Sequence, residues 1–447
     1  MNKVFFLIIA LLLVAALLLP NIIGRVAQSS TYRLAEQLNA NRDEFGDVSI
    51  ERYARGYASS ETIVTWMPGS KQIALSAFIE QPIRLVCQGS HGFWSYSYQC
   101  TGQNVEAYRK FVTTELNGVD PISISGDISV FGEIRLSLDL KEFQLQNSSS
   151  ERITVKAGDL DFTTNKDAEE FYFSGEFDGL DAEGEDGSLA IQILKIDGNL
   201  RLNQFDIGIG SAAASVERLT LRSNQDGVLQ LNGLYLEGDS KEQGTDLEML
   251  YRLTVEQLRQ SETPLANKGA QQSSKPNDLD LSKLLMEIRF AGVNMAQLSS
   301  LNQKWMALPS ESESDNKASM LALIPEIEDL LKSGLSIDSR LAADYQSKPM
   351  SADFNLALVG DLTFGDFLLM KINPKTFFAK FKARMKTLVP QAVLDVNAKA
   401  MESVGNNPLY VKSGSNYESH IELLDGEIMI NGEAVTLEKM MSLLNER

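Results

Sequence analysis

An alternation of apolar and polar residues with a period of two dominates the sequence from Ile122 to about Leu258. It is plainest in residues 134–140, Ile-Arg-Leu-Ser-Leu-Asp-Leu, and the short alternating runs are separated by Gly, Asp and Asn. Because successive side chains of a strand point to opposite faces, this pattern predicts strands with one apolar and one solvated face. The Asp226-Gly227 pair between two such runs is a hairpin signal. The sequence therefore predicts a long antiparallel β-meander.

The whole chain is predicted to be α+β and β-dominated: an N-terminal transmembrane helix, then a long antiparallel β-meander or curved sheet with packed amphipathic helices. Its 447 residues exceed the usual size of one domain. Shifts in composition divide it into an N-terminal transmembrane anchor (1–24), a helical stalk (25–46), a β-rich periplasmic region (47–259) that includes a Cys87–Cys100 hairpin, a polar loop (260–280) and a mixed α/β C-terminal region (281–447).

The first residues carry the signal for location. Lys3 precedes an apolar run that, counted through Ile23, reaches the roughly 20 residues that a bilayer requires. A cleaved signal peptide would need small residues at positions −3 and −1 of the cut, and Gln28 or Ile22 fits those positions poorly. An uncleaved anchor is therefore favoured, and the body is exported under either interpretation. We expect a single-pass protein of the bacterial inner membrane with its body in the periplasm.

The charge balance narrows the choice of partners. The chain has 60 acidic and 41 basic residues, for a net charge of −19. Such an acidic protein repels nucleic acid and anionic membrane surfaces, and the charge mainly keeps it soluble. Nucleic acid is therefore excluded as a partner.

The two cysteines of the chain are Cys87 and Cys100. Glycines and alternating aromatic residues between them are typical of a hairpin. An oxidising compartment would permit a disulfide, which in so short a loop stabilises a fold by roughly 3 kcal/mol. The alternative is a metal site, which would need more ligands than His91 alone can supply. The disulfide is the favoured interpretation.

The segment from Pro374 to Lys399 combines apolar residues at helical spacing with a basic first half. Its candidate membrane-binding or groove-lining residues are Phe377, Phe378, Lys380, Phe381, Lys382, Arg384 and Met385. Proline is well tolerated in the first turn of a helix, so the segment predicts one long amphipathic helix. Such a helix can lie on an anionic membrane with its aromatic face inward. We favour the alternative, in which its apolar face packs on the sheet and its lysines are solvated.

Residues suited to catalysis are scarce. The chain has only two histidines, His91 and His420, and histidine is the commonest general acid–base residue. His420 lies in an alternating strand pattern, and His91 lies in a glycine-flanked turn without a credible partner. Neither a phosphate-binding loop nor a dinucleotide fingerprint occurs. We therefore predict a protein that is not an enzyme and that holds neither a metal nor a cofactor.

These features in their order resemble the YdgA-like family of bacterial proteins, nearly from end to end. The matching segments are the N-terminal apolar run, residues 53–60, the turn at residues 91–94, the strand pair at 198–221, the helix–strand step at 323–338 and the closing segment at 410–437. The family has proline after the His-Gly pair, where Phe93 stands here. The resemblance implies inner-membrane anchoring and a periplasmic body, with homodimers in at least one member of the family, and it supplies no catalytic residues.

Three functions compete on this evidence. The leading hypothesis is a non-catalytic envelope protein that acts through protein contacts or self-association. The second is a lipid-binding or lipid-transfer protein, in which the apolar face of the sheet holds phospholipid acyl chains. The third, an envelope hydrolase, depends on His91. Whether helices cover the apolar face or leave it open distinguishes the first two.

Overall fold

A computed structural model describes residues 23–436 and 439 of the chain, with gaps. Those gaps are residues 26, 30, 34, 37–38, 40–45, 68, 70–81, 93–94, 102–105, 147–150, 166, 168, 206, 224–226, 262–278, 307–322, 332–333, 370–371, 397–403 and 406. The described part is dominated by strands joined in antiparallel ladders, with a few short helices between them. The predicted β-dominated antiparallel architecture is thus confirmed.

The chain divides into two compact units. The first comprises residues 1–185 and 193–199, and the second comprises residues 186–192 and 200–447. One long strand, β11 (Gly187–Leu202), contributes to both units. Within β11 the chain changes unit at Ile193, where φ is 45°, and again at Leu200.

In the residues that the structure describes, the first unit is an antiparallel sheet with one helix between its strands. The strands are β1 (Asp47–Arg55), β2 (Ser59–Met67), β3 (Ile83–His91), β4 (Ser95–Thr101), β5 (Ile122–Ser129), β6 (Ile134–Leu140), β7 (Phe143–Gln146), β8 (Arg152–Val155), β9 (Gly158–Thr164) and β10 (Glu170–Gly184), and the helix is α1 (Glu106–Glu115). Strands β1 to β6 pair in sequence, β6 then pairs with β9, β9 with β10, β10 with β8, and β8 with β7.

A helical segment at the start of the described chain covers part of this sheet. The helical residues between 23 and 39, here the N-terminal helical segment, place Ile23 and Ala27 against Tyr96, Ile128 and Ile134, and all five side chains are at most 7% exposed. Burial of these side chains away from water is the main stabilising contribution at this point. The first unit therefore has a closed core beneath the helical segment.

The second unit is a meander of long strands. They are β12 (Gly208–Ser223), β13 (Gly227–Gln243), β14 (Asp246–Ser261), β15 (Leu279–Asn294), β16 (Ser336–Tyr345), β17 (Lys348–Leu358), β18 (Phe381–Pro390), β19 (Val411–Ser413), β20 (Asn416–Leu424), β21 (Glu427–Ile430) and β22 (Glu433–Val435). Each strand from β12 to β18 pairs with the next, β18 pairs with β20, and β20 pairs with β19 and β21, which in turn pairs with β22.

Short helices occupy the connections of the second unit. They are α2 (Met295–Met306), α3 (Ile324–Leu330), α4 (Phe364–Leu369), α5 (Pro374–Phe378) and α6 (Gln391–Val396). Helix α2 follows β15 directly, and Met295 packs with Leu247 and Val293 at that end of the sheet. The helices therefore lie at strand ends, where the chain reverses.

The expected transmembrane helix over residues 1–24, and with it a single-pass location in the inner membrane, needs correction. No helix in the described part of the chain is long and apolar enough to cross a membrane. Ile23, the last residue counted in the apolar run, is instead buried on the sheet of the first unit. Residues 1–22 lie outside the described residues.

The long amphipathic helix predicted from Pro374 is also wrong. Only α5 is helical at its start, and Phe381–Pro390 is the strand β18, paired with β17 and β20. The physical reason is a second periodicity, because Lys380, Lys382, Arg384 and Lys386 alternate with smaller or apolar residues at period two. Neighbouring strands on both sides complete the backbone hydrogen bonds of β18. The sequence pattern of this segment alone does not reveal that these partner strands are present.

Two further predictions concern segments that lie partly outside the described residues. The polar loop at residues 260–280 lies mostly within the undescribed residues 262–278. The hairpin predicted at Asp226-Gly227 connects β12 and β13, which do pair antiparallel, although residues 224–226 themselves lie outside the described part.

Candidate functional site

The registers of the second unit place apolar residues of six neighbouring strands on one side of the sheet. One cross-strand row contains Leu236, Leu253, Met286 and Leu341, and the next row contains Tyr251, Ile288, Phe354 and Met385. These eight residues, here called the apolar face, alternate along each strand with polar residues of the opposite side.

Most of the apolar face is open to solvent. Leu236, Tyr251 and Leu341 are 49%, 49% and 50% exposed, although each lies within a long paired strand. Met286, Phe354 and Met385 are also exposed, and Leu253 and Ile288 are partly buried. The short helices do not cover this part of the sheet, and exposed contiguous apolar surface of this kind marks a binding site.

The apolar face is a narrow strip. Six strands at a spacing of about 4.8 Å give it a length of roughly 24 Å, and two rows lie about 7 Å apart along the strands. Tyr251 packs edge-on against Phe290 with ring centroids 6.4 Å apart, which extends the apolar surface toward the end covered by α2. Methionine and aromatic side chains can adapt to irregular ligands, because methionine is flexible and polarisable.

The opposite side of the same strands, here called the charged face, carries charges of alternating sign. One cross-strand row reads Glu237, Arg252, Glu287, Arg340, Asp353 and Lys386 from β13 to β18. Arg252 lies between two carboxylates, with Nη1 3.2 Å from Glu237 Oε2 and Nη2 3.0 Å from Glu287 Oε2. Cross-strand pairs of opposite charge favour this register over a slipped one.

A shallow cavity of about 200 Å³ lies on the charged face, and the charges of its lining side chains cancel. Its charged lining residues are Glu287, Asp338, Arg340, Asp353, Arg384 and Lys386, three acidic and three basic. Arg384 Nη2 lies 2.7 Å from Glu422 Oε1, and the Asn355 amide contacts Asp338. Exposed pairs of this type contribute only about 0.2–1 kcal/mol each, so the charged face mainly fixes the register and keeps this side of the sheet soluble.

The residues predicted for the amphipathic helix are split between two elements. Phe377 and Phe378 lie on α5, whereas Phe381, Lys382, Arg384 and Met385 lie on β18. Phe377 is buried with Leu358 and Leu362, and Phe381 packs beside it. Met385 belongs to the apolar face and Arg384 to the charged face. Lys380 Nζ binds Asp366 Oδ2 at 2.6 Å.

The predicted disulfide is present between Cys87 and Cys100, which are directly opposite each other in the β3–β4 ladder. Both cysteines are buried, at 7% and 5% exposure. The pair therefore fixes the register of this hairpin in the first unit.

His91 is a buried packing residue in this structure. Its ring lies 5.3 Å from that of Tyr96, and its Nδ1 is 3.4 Å from the carbonyl oxygen of Tyr57. Burial lowers the pKa of His91. Ser90, the adjacent hydroxyl, is exposed and points away from the His91 side of the strand. A Ser90–His91 pair therefore does not form.

A small polar cluster adjoins His91 beneath the N-terminal helical segment. The hydroxyl groups of Ser60 and Tyr96 lie 2.8 Å apart, and burial raises the pKa of Tyr53 to about 12. Tyr98, stacked on Tyr96, also has its pKa raised to about 12 by burial. Both phenols are therefore neutral at physiological pH. In the part of the chain that the structure describes, no group of three or more acidic, histidine or cysteine side chains could hold a metal ion.

Of the eight residues of the apolar face, the sequence predicted only Met385 as a groove-lining residue. The alternation in residues 352–358 and 284–288 carries the signal, because each run places an apolar residue at every second position. What the signal lacks is the information that no described element of the chain covers the face.

Comparison with known proteins gives the family. The sequence model of DUF945, described as a bacterial protein of unknown function, matches residues 1–438. No curated protein matches the chain significantly. The resemblance noted above is therefore confirmed at the level of a bacterial family that spans nearly all of the sequence. The chain belongs to the DUF945 family of bacterial proteins.

Proposed function

We propose that this protein is a non-catalytic lipid-binding or lipid-transfer protein, and that the apolar face of its second unit holds acyl chains. The observation that carries the proposal is the exposure of six large apolar side chains along one continuous strip of paired strands. Leaving such side chains in water costs roughly 25 cal/mol per Å², so a ligand that covers them binds favourably.

The dimensions of the strip favour an acyl chain. The hydrocarbon core of a bilayer is roughly 30 Å thick, so one acyl chain extends about 15 Å, and the strip of roughly 24 Å accommodates it lengthwise. A stable protein interface buries about 800 Å² on each partner, which is far more than a strip two rows wide offers. The occupant that fits is long, narrow and apolar.

The first test is native mass spectrometry with lipid extraction on the purified full chain. We expect phospholipid or fatty acid to co-purify at a fixed stoichiometry. Leu236→Asp should lower this stoichiometry, because the substitution places a charge at the β13 end of the apolar face. Tyr235→Asp is the matched control, since Tyr235 is the preceding residue of β13, is 37% exposed and lies on the charged face.

Lipid that remains bound at the same stoichiometry in Leu236→Asp would contradict the proposal, and so would a chain that is lipid-free when purified and takes up no fatty acid when it is added. Equal loss in Leu236→Asp and Tyr235→Asp would also contradict it, because the loss would then not depend on the side of the sheet.

Protein contact or self-association is the second candidate, and the composition of the apolar face favours it. Tyr251, Phe354, Met286 and Met385 are of the types enriched at the centres of protein interfaces. The YdgA-like resemblance, which implies homodimers, points the same way. A lipid-free dimer in the same mass spectra, converted to monomer by Leu236→Asp and not by Tyr235→Asp, would select this candidate.

A further inference from the structure

The connection between β17 and β18 carries an exposed apolar tip. It runs from residue 359 to residue 380 and contains α4 and α5. The apolar tip, defined as Phe364, Phe367, Leu369 and Ile372, is 42%, 46%, 55% and 78% exposed. Four neighbouring apolar side chains in one short connection are far more than the isolated exposed residues of an ordinary surface.

Polar contacts hold this connection in a defined conformation. Asp366 Oδ2 accepts hydrogen bonds from the backbone nitrogen and the hydroxyl of Thr363, both at 2.8 Å. Lys380 Nζ donates to the same oxygen at 2.6 Å and to the carbonyl oxygen of Asp361 at 2.7 Å. Asn373 caps α5 by accepting a hydrogen bond from the Thr376 nitrogen. The tip is therefore presented on a braced element.

An aromatic path joins the apolar tip to the apolar face. The ring of Phe377 lies 5.4 Å from that of Phe367 in the tip and 5.2 Å from that of Phe381 on β18. Phe381 and Met385 are four residues apart on one strand and therefore lie on the same side of the sheet. Leu358, opposite Phe381, continues Phe354 in the same way on β17. Apolar packing is thus continuous from Phe367 in the tip, through the buried Phe377 and Leu358, to the apolar face.

The charge of this connection is opposite to that of the protein. Residues 359–380 contain Lys371, Lys375 and Lys380 against Asp361 and Asp366, for a net charge of +1 in a chain of −19. Lys375 is largely exposed, with its Nζ 3.4 Å from Glu427 Oε1. Glu427 pairs with Lys375 and Glu328 accepts a hydrogen bond from the Phe364 nitrogen, so the connection with its contacts is close to neutral. Anionic lipid therefore repels it less than it repels the acidic body.

We propose that the apolar tip inserts into the surface of a lipid bilayer and that a lipid passes from there, along β18 past the half-buried Phe381, to the apolar face. This inference rests on the proposed function for the route of the lipid, but insertion of the tip stands on its own observations. The bilayer is the occupant because the tip combines exposed aromatic and branched aliphatic side chains with adjacent lysines, the combination that binds at membrane interfaces.

The experiment uses the full chain with a single added cysteine, Ile372→Cys, labelled with an environment-sensitive nitrobenzoxadiazole fluorophore. The native cysteines stay in their disulfide. Phe131→Cys is the matched control, because Phe131 is 83% exposed in the β5–β6 turn of the first unit. Two kinds of vesicle are added: pure phosphatidylcholine, and phosphatidylcholine with about one phosphatidylglycerol in three lipids, which is anionic.

The expected result is a blue shift and at least a twofold rise in emission at position 372 with anionic vesicles and no change at position 131. No change at position 372 would overturn the inference, as would an equal change at both positions. A change at position 372 on addition of a bacterial lysate stripped of lipid, without any change on vesicles, would overturn it in favour of a protein partner.

A double variant separates this inference from the proposed function. Leu369→Asp combined with Ile372→Asp should reduce vesicle co-sedimentation at least tenfold while uptake of fatty acid from detergent by the apolar face is retained. Unchanged co-sedimentation of this variant would refute insertion of the tip, whatever the apolar face binds. Normal co-sedimentation of Leu236→Asp, together with lipid uptake equal to that of the unsubstituted chain, would refute only the proposed function.

Discussion

The two units bear the same kind of amphipathic sheet, but only one has its apolar side closed. In the first unit Tyr96 and Ile128 are 2% and 5% exposed beneath the N-terminal helical segment. In the second unit Leu236 and Leu341, at similar central positions of paired strands, are 49% and 50% exposed. The difference shows that alternation alone makes a surface with one apolar side, and that a covering element decides whether this side becomes core or binding surface.

Small residues make the closure in the first unit possible. A Cβ added at Gly24 would lie 2.4 Å from Cε1 of His91, and Ala27 is completely buried. A helix that carried larger residues at these positions would stand farther from the sheet and leave a gap in a closely packed core. Helices α2 and α5 close only the ends of the sheet in the second unit, so its middle stays open.

The largest expected effect is a loss of stability when the N-terminal helical segment no longer packs on the sheet of the first unit. Ala27→Asp should destabilise the docked helical segment by about 3–5 kcal/mol, because it buries a charge without a partner. Hydrogen exchange of β4 to β6 should increase accordingly. Ser29→Asp, on the exposed side of the same segment, should have little effect, and so should Leu341→Asp on the open apolar face, within about 1 kcal/mol. A large loss of stability in Leu341→Asp would mean that the apolar face of the second unit is also a closed core.

The next effect concerns the disulfide of the first unit. Replacing Cys87 and Cys100 together by alanine should lower the free energy of unfolding by about 3 kcal/mol, because the loop of 13 residues then gains freedom in the unfolded chain. Urea titrations with and without reductant measure the change, and the alanine variant should be insensitive to reductant. Loss of hydrogen-exchange protection should be largest in β3 and β4. An equal loss in β13 to β18 would show that the two units do not unfold separately.

A smaller effect tests the braced connection that carries the apolar tip. The hydrogen bond from Lys380, with those from Thr363, lowers the pKa of Asp366 from 3.8 to about 2. Because the folded-state pKa lies below the unfolded one, the stabilisation is fully present above about pH 4 and is lost as the pH falls toward 2. Asp366→Asn should remove this acid dependence and cost about 1.5 kcal/mol at pH 7.

Hydrogen exchange of residues 363–380 as a function of pH measures the effect of Asp366. Asp361→Asn is the control, because it is the backbone carbonyl of Asp361 that binds Lys380, and the substitution preserves that carbonyl. An acid dependence that persists unchanged in Asp366→Asn would contradict the assigned role.

The smallest effect concerns His91 under the helical segment. Burial lowers the pKa of His91 below its ordinary 6.5. The groups around its ring are the Tyr57 carbonyl, the positive charge of Arg55 and the ring of Tyr96. The unfolded state therefore binds the proton more tightly, and the stabilisation present above about pH 6.5 decreases as the pH falls below that value. Docking of the segment should therefore weaken as the pH falls from 7 to 5.

Proteolysis near residue 25 as a function of pH detects this weakening. His91→Gln, which keeps a polar group of similar size without a charge, should make the rate of cleavage independent of pH in this range. A rate that rises equally in His91→Gln would assign the effect to another group.

Much of the strand pattern was predictable, because local alternation is strong where one face is apolar. The run at residues 134–140 is strand β6, as predicted, and the alternating run at residues 352–358 is the end of β17. Residues 380–390 were mistaken for a helix because Phe377, Phe381 and Met385 satisfy helical spacing while their neighbours satisfy period two. Only the pairing of β18 with β17 and β20 decides between the two patterns.

The candidate site was less predictable than the fold. Alternation identifies which residues share a face, but exposure depends on elements distant in the sequence that cover or leave that face. The charge row from Glu237 to Lys386 likewise follows from the registers of six strands, which no local pattern specifies. The disulfide was predicted because Cys87 and Cys100 are close in the sequence.

The most direct test of the open apolar face is photocrosslinking from adjacent residues on opposite sides of β16. A benzophenone side chain is placed at Leu341, on the apolar face, or at Arg340, on the charged face, and the purified chain is irradiated and weighed by mass spectrometry. The account predicts adducts with the mass of a lipid at position 341 and none at position 340. Lipid adducts at both positions, or adducts at position 341 only with a second copy of the chain, would contradict the lipid-binding account.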